Sequence, residues 1–127
     1  MMKAIAVNEV GFETPITVNQ HQLMADEPLT DGGTDKGPAP MMLLASALAS
    51  CTAITTRMYA GRKQWPLQKV EVEVLVEKDG INSRFSRVVR FTGPLDTEQQ
   101  ARLQDIANRC PVHRVLSAAN SIETSFQ

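Results

Sequence analysis

The residues best suited to chemistry in this chain are two cysteines, Cys51 within ALASCTAI and Cys110 within IANRCPVH. They lie 59 positions apart, so no local motif joins them and only the fold could bring their sulfurs together. Two thiols that meet can cycle between a dithiol and a disulfide. Buried free cysteines also occur simply as small hydrophobic residues. The pair is therefore either a working dithiol or two inert core residues.

The local surroundings of the two thiols differ. Cys51 falls in the middle of a helical segment, where burial disfavours the thiolate unless a cation or a base lies beside it. Cys110 immediately precedes Pro111 and a possible helix start, where free backbone N–H groups favour a thiolate. Local chemistry thus predicts that Cys110 ionises more readily than a thiol in a helix interior.

Metal ligation is a separate class of chemistry for the same residues. Cys110 and His113 are three positions apart, and Cys51 and His21 are the remaining candidates for a site of four ligands. Structural zinc sites usually carry closely spaced ligand pairs at both ends, and only one such pair is present. We therefore predict no metal site and no cofactor.

Composition limits the function classes. A chain of 127 residues with 43% hydrophobic content predicts a single domain over 1–127. The 13 basic and 14 acidic residues leave a net charge of −1, which argues against a nucleic-acid or membrane-surface partner. The N-terminus turns polar too early for a secretory signal, so a cytoplasmic location is expected, where structural disulfides are rare.

The elements that must position the cysteines begin with short strands. Apolar and polar residues alternate over 3–26, which predicts two or three short antiparallel strands. The segment EPLTDGGTDKGPAP, residues 27–40, is too rich in Gly, Pro and Asp for a strand or a helix. It is either a solvated connector or a loop that lines a site.

A long helix is predicted from Pro40 to the stop signal at Gly61. Leu44, Leu48, Cys51 and Met58 share one face, and further apolar residues widen it until little is left for water. A transmembrane span is not expected, because Ser, Thr and Arg interrupt the apolar run. A helix apolar nearly all round must be covered, and a domain of this size has few elements to cover it, which suggests help from a second copy of the chain.

The second half of the chain alternates strands and helices. From Lys69 onwards apolar and polar residues alternate, and this pattern predicts two strands of a hairpin with a moderately long connection at the turn signal Asp79-Gly80. Asp96 caps a second helix whose inward stripe ends at Cys110. A short helical turn over 112–119 and a last strand over 122–126 complete an α+β arrangement.

Three segments in the correct order resemble the OsmC/Ohr family, and more closely its OsmC-like branch, over nearly the whole chain. They are HQLMADEPLTDGGTDKGPAP, LLASALASCTAITTRMYAGRKQWPL and IANRCPVHRVL. The resemblance implies an α+β OsmC-like fold in which antiparallel sheets wrap around two core helices of an intertwined homodimer. This arrangement agrees with the need to cover the long helix.

The resemblance also implies a chemistry. In the family's peroxidases the cysteine matching Cys51 attacks an organic hydroperoxide and becomes a sulfenic acid. The cysteine matching Cys110 resolves it into a disulfide, which an external dithiol reduces. The chain is therefore interpreted as a redox protein that acts as a thiol peroxidase. The alternative is a non-catalytic dimeric module that binds a small apolar ligand, with structural or redox-sensing cysteines.

The sequence departs from those peroxidases at two groups near the thiol. They carry a Glu shortly after the helix-starting Pro, where this chain has Met41 and Met42. They also supply an Arg from the N-terminal region, whereas no Arg here precedes Arg57. Lys36 is the best-placed substitute, although a lysine lacks the forked geometry of arginine. The residues predicted to line the substrate site in a largely apolar pocket are Asp26, Glu27, Lys36, Met41, Met42 and His113.

Overall fold

The computed structural model describes residues 2–127, apart from the side chain of Asp79. The chain divides into two compact units, Met1–Leu44 and Ala45–Gln127. Both units contain antiparallel strands, and the chain as a whole mixes helices and strands. The structure thus confirms the α+β class, while the single domain over 1–127 stays a prediction.

The N-terminal unit is built on a three-stranded antiparallel sheet. Its strands are β1 (Ala4–Ala6), β2 (Thr14–Val18) and β3 (His21–Ala25), in the order β1-β2-β3. The short strands predicted over 3–26 are therefore confirmed. The predicted loop follows β3 and contains only one 3₁₀ turn, Leu29–Asp31.

Helix α1 (Pro40–Lys63) begins at the predicted proline and continues two residues beyond Gly61. It ends before Gln64, whose positive φ of 56° does not continue a right-handed helix. One narrow stripe of the helix is buried, and the more exposed apolar residues include Leu44, Ile54 and Met58. Contacts within the single chain cover only the stripe formed by Ala45, Leu48, Thr52, Thr56 and Ala60, so the covering of Leu44 and Met58 by a second copy stays a prediction.

Within residues 2–127, α1 is the one helix long and apolar enough to cross a membrane, with a mean hydropathy of 1.3. Core helices of soluble proteins can have the same length and hydropathy. The expectation that α1 does not span a membrane stays a prediction.

A long hairpin follows α1. Its strands β4 (Lys69–Asp79) and β5 (Asn82–Thr92) pair along their whole length, with Asp79 opposite Asn82. Only Gly80 and Ile81 connect them, so the moderately long connection predicted from the sequence is wrong. Gly80 has a φ of 62°, which glycine adopts without a steric penalty and which permits this tight turn.

Two helices close the second unit. Helix α2 (Thr97–Ala107) begins at a complete capping box formed by Asp96 and Gln99, as predicted. Helix α3 (Pro111–Leu116) begins directly after Cys110. The predicted inward stripe of α2 is confirmed, and Leu103 packs in a core with Ala60 and Leu67.

The strand predicted over 122–126 is wrong. Residues 117–127 form no strand, and the side chains of Ile122 and Phe126 are 90% and 93% exposed. Apolar alternation makes a strand only where a neighbouring strand supplies hydrogen-bond partners. No such partner faces this segment among residues 2–127.

We expect Leu103→Ala to lower the free energy of unfolding by about 2–5 kcal/mol, because a fully buried side chain would leave a cavity. Urea denaturation followed by circular dichroism measures the change. Leu75→Ala is the matched control, since Leu75 is 57% exposed on β4. Equal losses in the two variants would contradict the core assignment of Leu103.

Candidate thiol site

The structure brings the two cysteines together within the second unit. Cys51 lies on α1 and Cys110 at the junction of α2 and α3, and the hydroxyl of Thr52, the residue next to Cys51, is 3.7 Å from the Cys110 sulfur. Both are free thiols. Cys110 is completely buried, whereas Cys51 is partly exposed. A small electrophile can therefore reach Cys51 before Cys110.

Cys110 is the N-cap residue of α3, and its sulfur accepts the backbone N–H of His113 at 3.3 Å. The Thr52 hydroxyl lies 3.7 Å from the same sulfur. Burial alone would raise the pKa of Cys110. Hydrogen bonds from His113, Thr52 and Cys51, together with a nearby positive charge, outweigh burial and lower the pKa below its ordinary value. The lowered pKa agrees with the prediction that Cys110, which precedes the start of a helix, ionises readily.

The positive charge belongs to Arg87 on β5. Its guanidinium donates to the Thr52 hydroxyl at 2.9 Å, to the Ala107 carbonyl at 3.3 Å and to the Asn108 side chain at 2.8 Å. Arg87 thus connects the hairpin, α1 and the end of α2 beside the thiols. Sequence reasoning looked for an arginine before Cys51 and missed this one.

A signal for Arg87 was present in the sequence. The half-buried face of β5 carries Phe85, Val89 and Phe91, and Arg87 falls in the same alternation. Its partner across the hairpin is Val74, on the apolar face of β4. A lone charged residue on an apolar strand face is unusual, because an unpaired charge is costly to bury. Such a position marks a residue with a specific partner.

A cavity of about 490 Å³ in the second unit is lined by Arg87, but neither Cys51 nor Cys110 is among its lining residues. The predicted residue His113 lines this cavity. Its wall combines apolar and positively charged groups, and the largely apolar pocket predicted around the two cysteines stays a prediction. These lining residues include Leu48, Phe85, Leu116, Arg84 and Arg87.

Arg57 is engaged away from the thiol pair. Its guanidinium donates to the backbone carbonyls of Leu67 and Gln68, the latter at 3.0 Å. It therefore ties α1 to the segment that leads into β4.

The other predicted site residues lie in the N-terminal unit. Lys36 forms an ion pair with Glu13, with 2.7 Å between Nζ and Oε1. Asp26 and Glu27 line a mostly apolar cavity of about 610 Å³ within this unit. Met41 and Met42 occupy the first turn of α1, with Met42 44% exposed. Substrate contact by these five residues stays a prediction.

Asp26 organises the loop that follows β3. Its side chain is almost completely buried and accepts the N–H of Glu27 at 2.7 Å, the hydroxyl of Thr34 at 2.8 Å and the N–H of Lys36 at 3.1 Å. Burial raises the pKa of this carboxyl, but the hydrogen bonds outweigh burial and lower the pKa below its ordinary value. Gly33 is required in the same loop, because a Cβ there would lie 1.9 Å from the Glu27 carbonyl oxygen.

No group of three or more His, Cys, Asp or Glu side chains is placed to hold a metal ion within residues 2–127. His113 contributes its backbone N–H to the Cys110 sulfur, and His21 lies on β3.

We expect Asp26→Asn to destabilise the protein more at pH 7 than at pH 3. Because the folded-state pKa of Asp26 lies below its ordinary value of 3.8, its stabilising contribution is complete above 3.8 and is lost as the pH falls through the folded value. Denaturant unfolding at both pH values measures the difference. Asp35→Asn, at an exposed position of the same loop, is the control. A loss of stability independent of pH would contradict the role of the carboxylate.

Comparison with known proteins places this geometry in a family. Residues 33–125 match the OsmC-like protein family. A search among curated proteins found no match. An OsmC-like protein from Mycoplasma pneumoniae is similar in structure, with a TM-score of 0.81, 21% identity and coverage of 92% of this chain and 87% of the other.

Two organic hydroperoxide resistance proteins share the fold. The protein OhrB of Bacillus subtilis has a TM-score of 0.65 at 22% identity, covering 91% of this chain and 89% of its own. One from Legionella pneumophila has a TM-score of 0.68 at 20% identity, covering 91% and 88%. With the family match spanning most of the sequence, the chain belongs to the OsmC-like protein family.

Proposed function

We propose that this protein is a thiol-dependent peroxidase that reduces organic hydroperoxides through Cys51 and Cys110. The observation that carries the proposal is that the fold packs a buried thiol, Cys110, 3.7 Å from the hydroxyl of Thr52, the residue next to the partly exposed thiol Cys51, although the two cysteines are 59 positions apart. A buried packing cysteine needs no second thiol beside it. Membership of a family that includes organic hydroperoxide resistance proteins supports the same reading.

The proposed cycle has three steps. The Cys51 sulfur attacks the O–O bond and transfers two electrons to the peroxide, which gives a sulfenic acid on Cys51 and an alcohol. The Cys110 sulfur then displaces the sulfenic oxygen as water, which forms the disulfide. An external dithiol reduces that disulfide by exchange at Cys51, the more accessible sulfur, and is itself oxidised to a disulfide.

We propose that the cavity of about 490 Å³ that Arg87 lines receives the carbon skeleton of an organic peroxide. Leu48, Phe85 and Leu116 supply apolar surface for a carbon skeleton. Arg84 and Arg87 supply hydrogen-bond donors and positive charge.

The proposed location is the cytoplasm, where dithiol systems keep thiols reduced.

We also propose that the protein acts as a homodimer. Ile54 and Met58 on α1 are 58% and 52% exposed in the single chain. A contiguous apolar helix face of this kind is typical of a protein interface. A second copy is the occupant that the family resemblance implies.

We expect reduced wild-type protein to consume cumene hydroperoxide with loss of both thiols, and to turn over when dithiothreitol is supplied. Cys51→Ser should lower peroxide consumption by at least about 100-fold, because the attacking nucleophile is removed. Cys110→Ser should prevent the intramolecular disulfide. Peroxide loss and thiol titre, followed by mass spectrometry, measure these outcomes.

Ser50→Ala is the control for nonspecific effects of a substitution next to Cys51. Ser50 is exposed, and its hydroxyl donates to the Ala47 carbonyl within the same helix. Thiols that stay reduced under excess peroxide would contradict peroxidase activity. That outcome would favour the alternative, a module that binds a small apolar ligand, for which the cavity of about 610 Å³ in the N-terminal unit is the candidate.

For the homodimer, we expect Ile54→Glu to raise the dimer Kd by at least about tenfold, because burying an unpaired charge costs more than about 1.4 kcal/mol. Analytical ultracentrifugation measures the association. Ile81→Glu is the matched control at the fully exposed tip of the hairpin. A monomeric wild-type protein, or equal effects of the two substitutions, would contradict this interface.

A further inference from the structure

Arg87 differs from the two other arginines of β5 in its surroundings. Arg84 is exposed and lies 3.9 Å from the Glu77 carboxylate. Arg90 is also exposed and lies 3.1 Å from the Glu71 carboxylate. Arg87 is half-buried, and no carboxylate among the described side chains pairs with it. Because a partly buried charge without a counter-ion is unfavourable, Arg87 is the arginine of this strand that lacks a partner it needs.

The guanidinium of Arg87 also keeps unused hydrogen-bond donors. Its Nη1 donates to the Thr52 hydroxyl at 2.9 Å and to the Ala107 carbonyl at 3.3 Å, which uses both hydrogens of that atom. Its Nη2 donates once, to the Asn108 side chain at 2.8 Å. The Nε–H and the second Nη2 hydrogen therefore have no acceptor among the described residues. Nε and Nη2 form one edge of the planar group, and such an edge can bind a carboxylate through two parallel hydrogen bonds.

Arg87 lines the cavity of about 490 Å³ in the second unit, and the polar part of the cavity wall consists of groups that can donate hydrogen bonds. The other polar residues of this wall are Asn82, Ser83, Arg84, His113 and Ser117. Among the described side chains, no Asp or Glu lines the cavity. The wall thus carries positive charge and hydrogen-bond donors, which is the complement of an anion.

The rest of the cavity wall is apolar. Phe85 lies two positions before Arg87 on the same face of β5, so the aromatic ring and the guanidinium share one side of the hairpin. Leu48 on α1 and Leu116 at the end of α3 supply further apolar surface. The volume lies within the range of about 300–1,000 Å³ that is typical of small-molecule sites. The cavity therefore suits a ligand with an apolar skeleton and an anionic group.

We propose that this cavity binds an organic carboxylate. The carboxylate accepts hydrogen bonds from the Nε–Nη2 edge of Arg87, and the hydrocarbon part packs against Phe85 and Leu116. The ligand thus supplies the counter-ion that the chain does not provide. A planar carboxylate matches the single half-buried guanidinium, whereas a phosphate dianion needs a second buried charge, and the Arg84 side chain is 69% exposed. Neither cysteine lines the cavity, so binding requires no thiol chemistry.

One consequence of this site rests on the proposed function. The same cavity is proposed to receive the carbon skeleton of an organic peroxide, so a bound carboxylate and a neutral hydroperoxide compete for it. Organic carboxylates should therefore raise the KM for the hydroperoxide and leave kcat unchanged. Carboxylate binding itself does not depend on peroxidase activity.

The first test compares head groups on wild-type protein by isothermal titration calorimetry. Octanoate should bind at least about tenfold more tightly than octanol, because only the carboxylate accepts charge-assisted hydrogen bonds from Arg87. Octylamine should bind more weakly than octanol, since its positive charge is repelled. Acetate should bind more weakly than octanoate, since it lacks the hydrocarbon chain. Equal affinities for octanoate and octanol, or tighter binding of octyl phosphate than of octanoate, would overturn the proposal.

The second test assigns the carboxylate to Arg87. Arg87→Gln should lower the affinity for octanoate by at least about tenfold. Arg87→Lys retains the charge but loses the planar edge, so the affinity should still fall by at least about threefold. Arg90→Gln is the matched control, because Arg90 lies on the same strand but pairs with Glu71. Equal losses in Arg87→Gln and Arg90→Gln would contradict the site, and the head-group comparison decides the question even if the Arg87 variants do not fold.

The third test separates this site from the proposed function. Cys51→Ser should bind octanoate as tightly as the wild-type protein does. In steady-state turnover of cumene hydroperoxide, octanoate should raise the KM of the wild-type protein, and octanol at the same concentration should raise it less. A wild-type protein that binds octanoate but consumes no hydroperoxide would reject only the proposed function. An active peroxidase that does not bind octanoate would reject only the carboxylate site.

Discussion

The buried hydroxyl of Thr52 is the point on which the thiol site depends. It contacts the start of α3 through Cys110, the hairpin through Arg87 and its own helix through Leu48. Arg87 donates to this hydroxyl and also to Ala107 and Asn108, so one buried cluster joins α1, β5 and the end of α2. The hydrogen bond with Thr52 also helps to lower the pKa of the Cys110 thiol, so packing and thiol chemistry share the same groups.

Much of the fold could be predicted from the sequence, because the decisive signals are local. Pro40, the Asp96–Gln99 capping box and the alternation from Lys69 each predicted an element that the structure contains. The strand predicted around Ile122 is wrong because alternating apolar and polar residues indicate only which side chains share a face. They do not show whether a neighbouring strand is present to accept and donate the backbone hydrogen bonds. The tight Gly80-Ile81 turn was missed because strand ends depend on pairing across the hairpin.

The candidate site was less predictable than the fold. Sequence patterns could place Cys51 and Cys110 on inward faces, and the family resemblance supplied the pairing. Arg87 could not be assigned, since nothing in a linear alternation says which helix a strand residue will reach. Lys36, the cation favoured from the sequence, forms an ion pair with Glu13 at 2.7 Å, and its contact with substrate stays a prediction. Long-range electrostatics therefore required the structure.

The two-residue turn between β4 and β5 has a consequence for how this protein tolerates insertions. Successive residues of a strand face opposite sides, so a shift of the pairing by one position would turn Arg87 to the outer face and bring a neighbour inwards. The hairpin tip carries no group of the thiol site, yet its length determines which side chain stands beside the cysteines. The length of this surface turn therefore helps to fix the register that places Arg87 against the Thr52 hydroxyl.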